Sequence, residues 1–590
     1  MNTMMKNVRH VAAIGLLAAA SAAYADFDVD LDISGRPMRD VRTSTCGPMI
    51  GYAGCLAGQD MASSAYWFVT NRLETSRAMR ESGAWFQRMW NANRWYSWRG
   101  KNPYDPNSTN KWERKKSKEF RQTQPDAMFS FWKDNGIKVL FTLEAWSGAA
   151  SKREIVEFVD YIVSNKYEGV VAGFELGNET YFADRDLMPA LCKTWNEVIP
   201  EIKKRMPKVN LGVPICEYFE NNPDLAQIRA RCLDPEKLKR KGYFSAGAGV
   251  QTSAAMVLAL SNNWDKITHI IYHAYGAESP YSCSYYGFQR FRNFAAGFEE
   301  LQGKRWWLSE VRMRSDEDDW CQRIFRESLI MGHYALTSIC QPEFDGYNQH
   351  EFTSWSGGLY VSNGEQFVRQ LRSGTWWPGY RDYRAPEKKP RLVVGSMGVM
   401  YRILTEAIKE HPLLWQHGTS LETGTEDTFY TSARLTDEVY ARRRALREGR
   451  KPFLGLFGGV PEVKGETEWV AATDEKKRQL CLMMVNSKGV EEVVTVRLRG
   501  HDFSVPSYQT VSCPDEFVDS AEIPGEDHAW RTLAWEDTQQ GGYSVVKMAM
   551  YEGLKPACRE MKVRIAPHTV QSVTVRLRAD PKPKAPAKKK

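Results

Sequence analysis

The chain has 590 residues and a formal net charge of +8 at pH 7, and this length predicts at least two domains. Seven of the basic side chains lie at the two ends of the chain, so the segment from Asp26 to Asp580 has a net charge of only about +1. A nearly neutral body gives no electrostatic support for a nucleic acid partner, and none is expected.

The first 25 residues have the pattern of a secretory signal peptide. Lys6 and Arg9 precede an apolar stretch that ends in Ala23-Tyr24-Ala25. That stretch is too short to span a bilayer, so we expect a secreted or periplasmic protein with no integral membrane association. At the other end, residues 579–590 are rich in proline and lysine and predict a disordered tail.

Eleven cysteines in an exported chain allow several disulfides and leave at least one thiol over. Cys513 with Cys558, and Cys283 with Cys321, are candidate pairs, although spacing does not determine connectivity. The sequence has no CxxC pair and no HExxH motif, and its ten histidines are scattered. Neither a metal site nor a cofactor is therefore expected.

The first predicted element is a half-buried strand over Phe27–Ile33, where apolar and acidic residues alternate. Eight further strand candidates follow it along the chain. They are Met49–Tyr52, Ala84–Trp90, Ile137–Glu144, Val170–Glu179, Val209–Ile215, Ile267–Tyr275, Trp306–Glu310 and Ala335–Cys340.

Amphipathic stretches lie between these strands, among them Ala65–Ser82, Lys152–Asn165, Leu187–Met206 and Phe288–Leu301. Continuously apolar strands that alternate with helices predict a closed, parallel (β/α)8 TIM barrel over residues 41–412. A doubly wound open sheet is the alternative, but no phosphate-binding glycine fingerprint follows the first strand.

From Leu413 onward short strands replace the helical periodicity and predict an antiparallel β-sandwich over residues 413–578. Leu480–Val485 and Val493–Leu498 flank the turn residues Asn486-Ser487-Lys488-Gly489 and are interpreted as a hairpin. Lys562–Ile565 and Val570–Leu577 add further strands. The N-terminal strand, within residues 26–40, is expected to complete the sandwich.

Two glutamates lie where predicted barrel strands end. Glu179 follows the apolar run that begins at Val170, and Glu310 ends the strand that begins at Trp306. Catalytic groups of (β/α)8 enzymes lie at this end of the barrel. Retaining glycoside hydrolysis needs two carboxyl groups, one to protonate the leaving oxygen and one to attack the anomeric carbon. Strand alternation predicts that Tyr275 also points into the barrel mouth.

The segments around these residues resemble motifs of clan A glycoside hydrolases. Phe174–Glu179 is similar to the fourth-strand motif of family 79, the heparanase and β-glucuronidase family. His273-Ala274-Tyr275-Gly276 resembles the sixth-strand His-x-Tyr of that family and of family 39. Trp307–Glu310 resembles the seventh-strand nucleophile motif, and Arg88 lies where clan members often carry an arginine on the second strand.

The resemblance implies a retaining hydrolase that forms a covalent glycosyl intermediate and needs no cofactor. Glu179 would be the general acid and then the base, with a pKa raised by burial and by nearby negative charge. Glu310 would be the nucleophile. Asn178 would bind the sugar 2-hydroxyl, Tyr275 would orient Glu310, and His273 would contact the substrate.

Two departures and several simpler interpretations remain open. Thr180 replaces a proline that usually follows the acid/base glutamate, and Val311-Arg312-Met313-Arg314 differs from the small-residue stretch after the heparanase nucleophile. Glu179 could instead be a surface carboxylate at the start of a helix. Glu310 could be a structural partner of Arg88 or Arg312. Structural roles are also open for three residues: Asn178, His273 and Tyr275.

The predicted substrate is a polysaccharide or oligosaccharide. Glu144 and Trp146, at the end of the third barrel strand, are interpreted as substrate contacts, since aromatic faces suit sugar rings, whereas Glu175 is interpreted as structural. Guanidinium groups suit sulfate or uronate, and they are frequent near the predicted rim. These are Arg94, Arg99, Arg153, Arg312 and Arg314.

An anionic glycan is therefore the first hypothesis for the substrate. A neutral-sugar glycosidase of the xylosidase or glucanase type is the alternative enzyme. A non-catalytic carbohydrate-binding envelope protein is a third hypothesis, but it predicts the loss of one carboxylate, and both are present.

Overall fold

The computed structural model describes the barrel strands and most of the C-terminal sheets. The described residues are 27–43, 50–53, 86–97, 107–111, 114, 124–182, 188–215, 248–276, 292, 294–313, 331–350, 360–362, 392–394, 396–419, 467–486, 492–499, 501–512, 544–549, 560–565 and 569–579.

The strands of this part are β1 (Phe27–Leu31), β2 (Arg39–Asp40), β3 (Ile50–Ala53), β4 (Phe86–Met89), β5 (Lys138–Leu143), β6 (Val171–Leu176), β7 (Asn210–Ile215), β8 (His269–Gly276), β9 (Arg305–Met313), β10 (Phe344–His350), β11 (Tyr360–Ser362), β12 (Leu392–Val394), β13 (Leu413–Thr419), β14 (Thr467–Thr473), β15 (Gln479–Asn486), β16 (Glu492–Leu498), β17 (His501–Ser512), β18 (Ser544–Ala549), β19 (Glu560–Ile565) and β20 (Thr569–Ala579). The helices are α1 (Ala92–Ser97), α2 (Pro125–Asp134), α3 (Ala149–Ser164), α4 (Met188–Arg205), α5 (Ala248–Ala259), α6 (331–340) and α7 (Ser396–Glu410).

Eight strands close into a barrel in the order β10-β3-β4-β5-β6-β7-β8-β9, and each neighbouring pair is parallel. The predicted (β/α)8 barrel is confirmed. Side chains fill its interior, including those of Phe86, Leu140, Ile271 and Trp307. Gly212 leaves space for Trp307, because a Cβ there would lie 2.9 Å from the indole Cε3.

The eighth predicted strand is wrong. Residues 331–340, which include the run Ala335–Cys340, form helix α6, and β10 (Phe344–His350) closes the barrel instead. A short apolar run cannot be distinguished from a buried helix by its periodicity, and the side chains of α6 are buried all round. The true strand, Phe-Asp-Gly-Tyr-Asn-Gln-His, is too polar to be recognised as a barrel strand.

Outside the barrel, a seven-stranded sheet runs in the order β18-β17-β20-β15-β14-β13-β2, and a three-stranded sheet in the order β1-β16-β19. Both sheets contribute to one apolar core, in which Val29 and Leu31 of β1 contact side chains of β15 and β16. The N-terminal strand β1 pairs with β16 in parallel.

The predicted hairpin of β15 and β16 is wrong. The two strands belong to different sheets, and β15 pairs with β14 and β20. Both strands bury apolar side chains in the same core, so the chain crosses from one sheet to the other between Asn486 and Glu492. The turn residues Asn486-Ser487-Lys488-Gly489 are compatible with either connection.

Two buried polar contacts join the barrel to the seven-stranded sheet. Arg39 of β2 donates to the backbone oxygens of Ile339 at 2.9 Å, in the last turn of α6, and of Gln341 at 2.5 Å, just after this helix. Glu468 of β14 has no exposed surface, and its carboxylate lies 2.8 Å from His333 Nδ1 of α6. These contacts place the sheet against one helix of the barrel wall.

Several predictions fall outside the described residues. These are the signal peptide, the tail after Ala579, the stretch Ala65–Ser82 and the four cysteines of the candidate pairs. Within the described part, Cys192, Cys340 and Cys481 are buried free thiols. No described helix is long and apolar enough to cross a membrane.

Candidate active site

The chain turns sharply after β6 and brings two polar side chains to the barrel mouth. Gly177 has a φ of +96°, and a Cβ there would collide with the side chain of Thr180, so the turn requires glycine. Glu179 itself has a φ of +46°, a left-handed conformation that costs an ordinary residue about 1–2 kcal/mol. The turn therefore holds Asn178 and Glu179 in place at some cost in free energy, as is common at functional sites.

Arg88 of β4 joins three groups of the site. Its Nε and Nη2 donate to the two oxygens of Glu175 at 2.6 and 2.9 Å. Its Nη1 donates to Oε2 of Glu310 at 3.0 Å, and its Nη2 donates to Oδ1 of Asn178 at 2.5 Å. The guanidinium thus fixes residues from the fourth and seventh barrel strands relative to each other.

Glu175 is the buried centre of this network, a role that is consistent with its structural interpretation. Its side chain has no exposed surface, and Thr142 Oγ1 donates to Oε2 at 2.9 Å. Burial alone would raise the pKa of Glu175. The charge of Arg88 and hydrogen bonds from His273 and Arg88 outweigh burial and lower this pKa to about 2.

His273 of β8 lies among the carboxylates. Its Nδ1 is 3.1 Å from Oε1 of Glu179 and 3.7 Å from Oε2 of Glu310. Its Nε2 is 3.0 Å from Ser309 Oγ and 3.5 Å from Oε1 of Glu175. The imidazole is fully buried, which disfavours the predicted direct contact between His273 and substrate.

Glu179 and Glu310 lie close together at the same end of the barrel. Their oxygens Oε1 and Oε2 cannot be further apart than the sum of their distances to His273 Nδ1, 3.1 and 3.7 Å. That bound on one pair of oxygens is compatible with the roughly 5–5.5 Å between the carboxyl groups of retaining enzymes. Glu310 is 8% exposed, and the side chain of Glu179 is 30% exposed.

The predicted rise in the pKa of Glu179 is wrong for this ligand-free state. Burial does act in the predicted direction, but the hydrogen bond and the charge of His273 lower the pKa below its usual value. The pKa of His273 shifts in the opposite direction. Burial lowers it, but the charge of Glu310 and hydrogen bonds to Glu175 and Glu179 raise it to about 9. Glu179 is therefore ionised and paired with an imidazolium.

Glu144 holds the loop after β5. Its carboxylate accepts hydrogen bonds from Arg94 Nε and, at 2.7 Å, from the backbone nitrogen of Trp146. Asn93 contacts the backbone of Glu144 at 2.7 and 3.0 Å. Both oxygens of Glu144 are thus occupied by the protein, which disfavours its predicted contact with substrate. Trp146 is 39% exposed, as a sugar platform requires.

The predicted rim arginines differ in what the structure shows of them. Arg94 lies near two carboxylates, those of Glu144 and Glu154, so its charge is largely compensated within the protein. Arg312 is described in its backbone only, where it pairs with Tyr275 across β8 and β9. Arg99, Arg314 and the side chains of Arg312 and Tyr275 lie outside the description.

Two aromatic side chains of the second loop, Trp95 and Tyr96, pack in the protein interior. Trp95 packs against Phe129, Trp132 and Phe158 with ring centroids 6.3–6.5 Å apart, and Tyr96 is buried. These rings belong to the core.

In the described part of the chain, no cluster of three or more histidine, cysteine, aspartate or glutamate side chains could hold a metal ion.

Sequence reasoning missed two hydroxyl groups. Thr142 and Ser309 both contact Glu175, at 2.9 and 3.4 Å, and Ser309 also contacts His273. The signal available for Thr142 was strand alternation, which places it on the same face as the inward-pointing Leu140.

Comparisons with known proteins identify the fold of this chain. No protein-family model matches the chain, and no curated protein matches it either. Among solved structures, the chain is similar to an α-L-arabinofuranosidase from Thermotoga maritima in complex with arabinose, with 10% identity and a TM-score of 0.55 over 93% of this chain and 100% of the other. The family 51 α-L-arabinofuranosidase of Thermotoga petrophila matches at 10% identity and a TM-score of 0.54, over 93% and 100% of the two chains. A family 51 α-L-arabinofuranosidase of Bifidobacterium longum gives the same identity and TM-score, over 93% and 99%. At this identity the likeness shows that the chain has the barrel fold of these proteins.

Proposed function

We propose that the protein is a retaining glycoside hydrolase in which Glu179 is the general acid/base and Glu310 is the nucleophile. One observation carries the proposal: both carboxylates contact the same nitrogen of His273 at the carboxyl end of a (β/α)8 barrel. The overall similarity to solved glycosidases supports it. The close resemblance of the motifs to families 79 and 39 remains part of the proposal.

The geometry suggests how each residue acts. Arg88 donates to Oε2 of Glu310 and so orients this carboxylate for attack on the anomeric carbon. Glu179 protonates the leaving oxygen and then deprotonates the water that hydrolyses the intermediate. Arg88 occupies Oδ1 of Asn178, so its amide NH2 group is left to donate to a sugar hydroxyl.

The substrate class is the second part of the proposal. Within the described site, both Arg88 and Arg94 are paired with carboxylates, which favours a neutral glycan over the anionic one. The similar solved structures are those of α-L-arabinofuranosidases, and this likeness also suggests a neutral sugar. The alternative hypothesis of an anionic substrate depends on binding by Arg312. It predicts that turnover weakens with salt and that the variant Arg312→Lys is strongly impaired.

Mass spectrometry of a trapped intermediate tests the catalytic assignment. Aryl glycosides, beginning with α-L-arabinofuranoside and β-D-xyloside and extending to β-D-glucuronide, identify a substrate. The corresponding 2-deoxy-2-fluoro glycoside should then label Glu310. Glu179→Ala should keep activity on dinitrophenyl glycosides and lose it on alkyl glycosides, because only a poor leaving group needs a proton.

The surface variant Glu201→Gln is the matched control, since its exposed partner is Arg205, and it should behave as the wild type. Labelling of a residue other than Glu310, or no turnover of any glycoside by the wild type, would contradict the proposal.

Export and the C-terminal domain also remain proposals. We infer that residues 1–25 are removed during secretion, which mass measurement of the mature protein tests. We also infer that the two sheets outside the barrel form one β-sandwich domain, because they share one apolar core.

A further inference from the structure

His273 is the residue of the site whose arrangement the proposed reaction does not explain. Its imidazole has no exposed surface, and both ring nitrogens have polar partners. A buried histidine that only filled space would be neutral and would need one acceptor and one donor. This histidine faces acceptors on both sides.

The hydrogen-bond pattern requires a proton on Nε2 of His273 and a second proton between Nδ1 and Glu179. Ser309 Oγ lies 3.4 Å from Oε1 of Glu175, to which it donates. Ser309 must then accept from His273 Nε2, because a hydroxyl has one proton to donate. One further proton lies in the hydrogen bond between Nδ1 and Oε1 of Glu179, and the carboxylates of Glu175 and Glu310 at 3.5 and 3.7 Å from the ring favour its location on Nδ1. The charged groups of the described residues that face the ring are Glu175 and Glu179 from β6 and its turn, Glu310 from β9 and Arg88 from β4.

We propose that His273 is a positioning residue that stores the catalytic proton of Glu179. In the empty site the proton lies on Nδ1 and Glu179 is ionised. When a glycoside occupies the site, the proton crosses the existing hydrogen bond, in which Nδ1 and Oε1 of Glu179 are 3.1 Å apart, and His273 becomes neutral while keeping the proton on Nε2. Glu179 then acts as the acid.

The proton count balances over the proposed cycle. Glu179 gives the proton to the leaving oxygen while Glu310 forms the glycosyl ester. Glu179 and His273 together then hold one proton fewer. In the second step Glu179 removes a proton from water, the hydroxide oxygen attacks the anomeric carbon, and Glu310 is released as a carboxylate. The proton returns to Nδ1 when product leaves.

This inference rests on the proposed function, and it predicts an unusual pH profile. A pair of coupled groups titrates in two macroscopic steps. The Glu179–His273 pair takes up its second proton below the usual pKa of glutamate and loses its last proton at about 9, the pKa of His273. For a substrate with a poor leaving group, kcat/KM should therefore stay on a plateau up to about pH 9.

The variant His273→Asn keeps a hydrogen-bond donor beside Glu179 but cannot store a proton. Its alkaline limb is then set by Glu179 alone and should fall to about pH 7 or below, the upper end to which burial tunes catalytic glutamates. A dinitrophenyl glycoside, which needs no acid in the first step, should show no such shift in kcat/KM. His273→Gln replaces this variant if it does not fold.

His269→Asn is the matched control, because His269 lies on the same strand and is equally buried. Its imidazole bonds Asp345 at 2.7 Å and does not contact the catalytic glutamates in the described structure. If this variant loses activity, the alkaline limb of its kcat/KM profile should still lie near pH 9. The proposal would be overturned if the alkaline limb of kcat/KM did not move in His273→Asn. It would also be overturned if this limb moved equally for the substrate with a poor leaving group and for the dinitrophenyl glycoside.

Ring ¹⁵N spectra of histidine-labelled wild-type protein separate this proposal from the proposed function, because they need no substrate. The signals that disappear in His273→Asn belong to His273. They should show a ring with two protons at pH 7 that loses one of them near pH 9. His269, whose pKa is lowered by burial, should be neutral at pH 7. A neutral His273 at pH 7 would refute the stored proton even if glycosidase activity is found.

Discussion

Replacing Arg88 by methionine should destabilise the barrel by leaving a buried carboxylate without its counter-charge. Arg88 is 4% exposed and donates two hydrogen bonds to Glu175, which has no exposed surface. Methionine has a similar length and fills the space of the side chain without its charge. The cost of the variant is therefore dominated by loss of the Arg88 charge beside Glu175, which leaves His273 as its remaining cationic neighbour.

The pKa of Glu175 sets the magnitude of this effect. The pKa falls from its usual 4.5 to about 2 in the folded protein, and each pKa unit corresponds to about 1.4 kcal/mol. The folded environment thus favours ionised Glu175 by roughly 3 kcal/mol, which agrees with the roughly 3–5 kcal/mol measured when one partner of a buried pair is removed. Because the folded pKa is depressed, this stabilisation is complete above pH 4.5 and is lost as the pH falls through about 2.

Chemical denaturation followed by tryptophan fluorescence measures the loss. Arg88→Met should lose about 3 kcal/mol at pH 7 and less as the pH is lowered below 4.5. The double variant Arg88→Met/Glu175→Gln should recover most of the loss, because a neutral amide needs no counter-charge, and the two changes are coupled through direct contact. A loss below about 1 kcal/mol at pH 7, or a double variant no more stable than the single one, would refute this reasoning.

Three further predictions follow from other parts of the molecule. Trp146→Ala should raise KM for oligosaccharides by up to about tenfold, through loss of an exposed ring worth about 0.5–1.5 kcal/mol, while kcat changes little; an unchanged KM would exclude a platform. Glu468→Gln should destabilise the junction of barrel and sheet by about 1–3 kcal/mol in thermal unfolding, since His333 lies 2.8 Å from its buried carboxylate. Hydrogen bonds from His333 and His417 outweigh burial and lower the pKa of Glu468 to about 2, so this loss should shrink as the pH falls below 4.5. Deleting residues 26–35 should lower the melting temperature of the C-terminal sheets, because Val29 and Leu31 are buried there, and an identical melting profile would show that β1 is dispensable.

The charges that stabilise the site are the same charges that arrange it for catalysis. Arg88 compensates Glu175 and at the same time fixes Glu310 and Asn178. Variants of this arginine should therefore lose stability and activity together. The double variant distinguishes the two effects, because it restores stability while the contacts of Arg88 to Glu310 and Asn178 remain absent.

Sequence alone was sufficient for the barrel and for the two candidate catalytic glutamates. Seven barrel strands could be recognised because parallel barrel strands are buried on both faces and therefore have continuous apolar runs. Strand ends are also readable, since Gly177, Asn178 and Glu179 interrupt such a run. The position of Glu310 followed from the same signal, as did the alternation that places His273 on an inward face.

Tertiary structure decided the pairing of elements and the electrostatics. The eighth strand and the connection from β15 to β16 could not be predicted, because local periodicity does not distinguish a buried helix from a strand or one partner sheet from another. The pKa of Glu179 falls where burial alone predicted a rise, because an imidazolium 94 positions away along the chain lies within hydrogen-bonding distance. Distances between residues remote in sequence set the strength of charge interactions, and only the folded chain determines those distances.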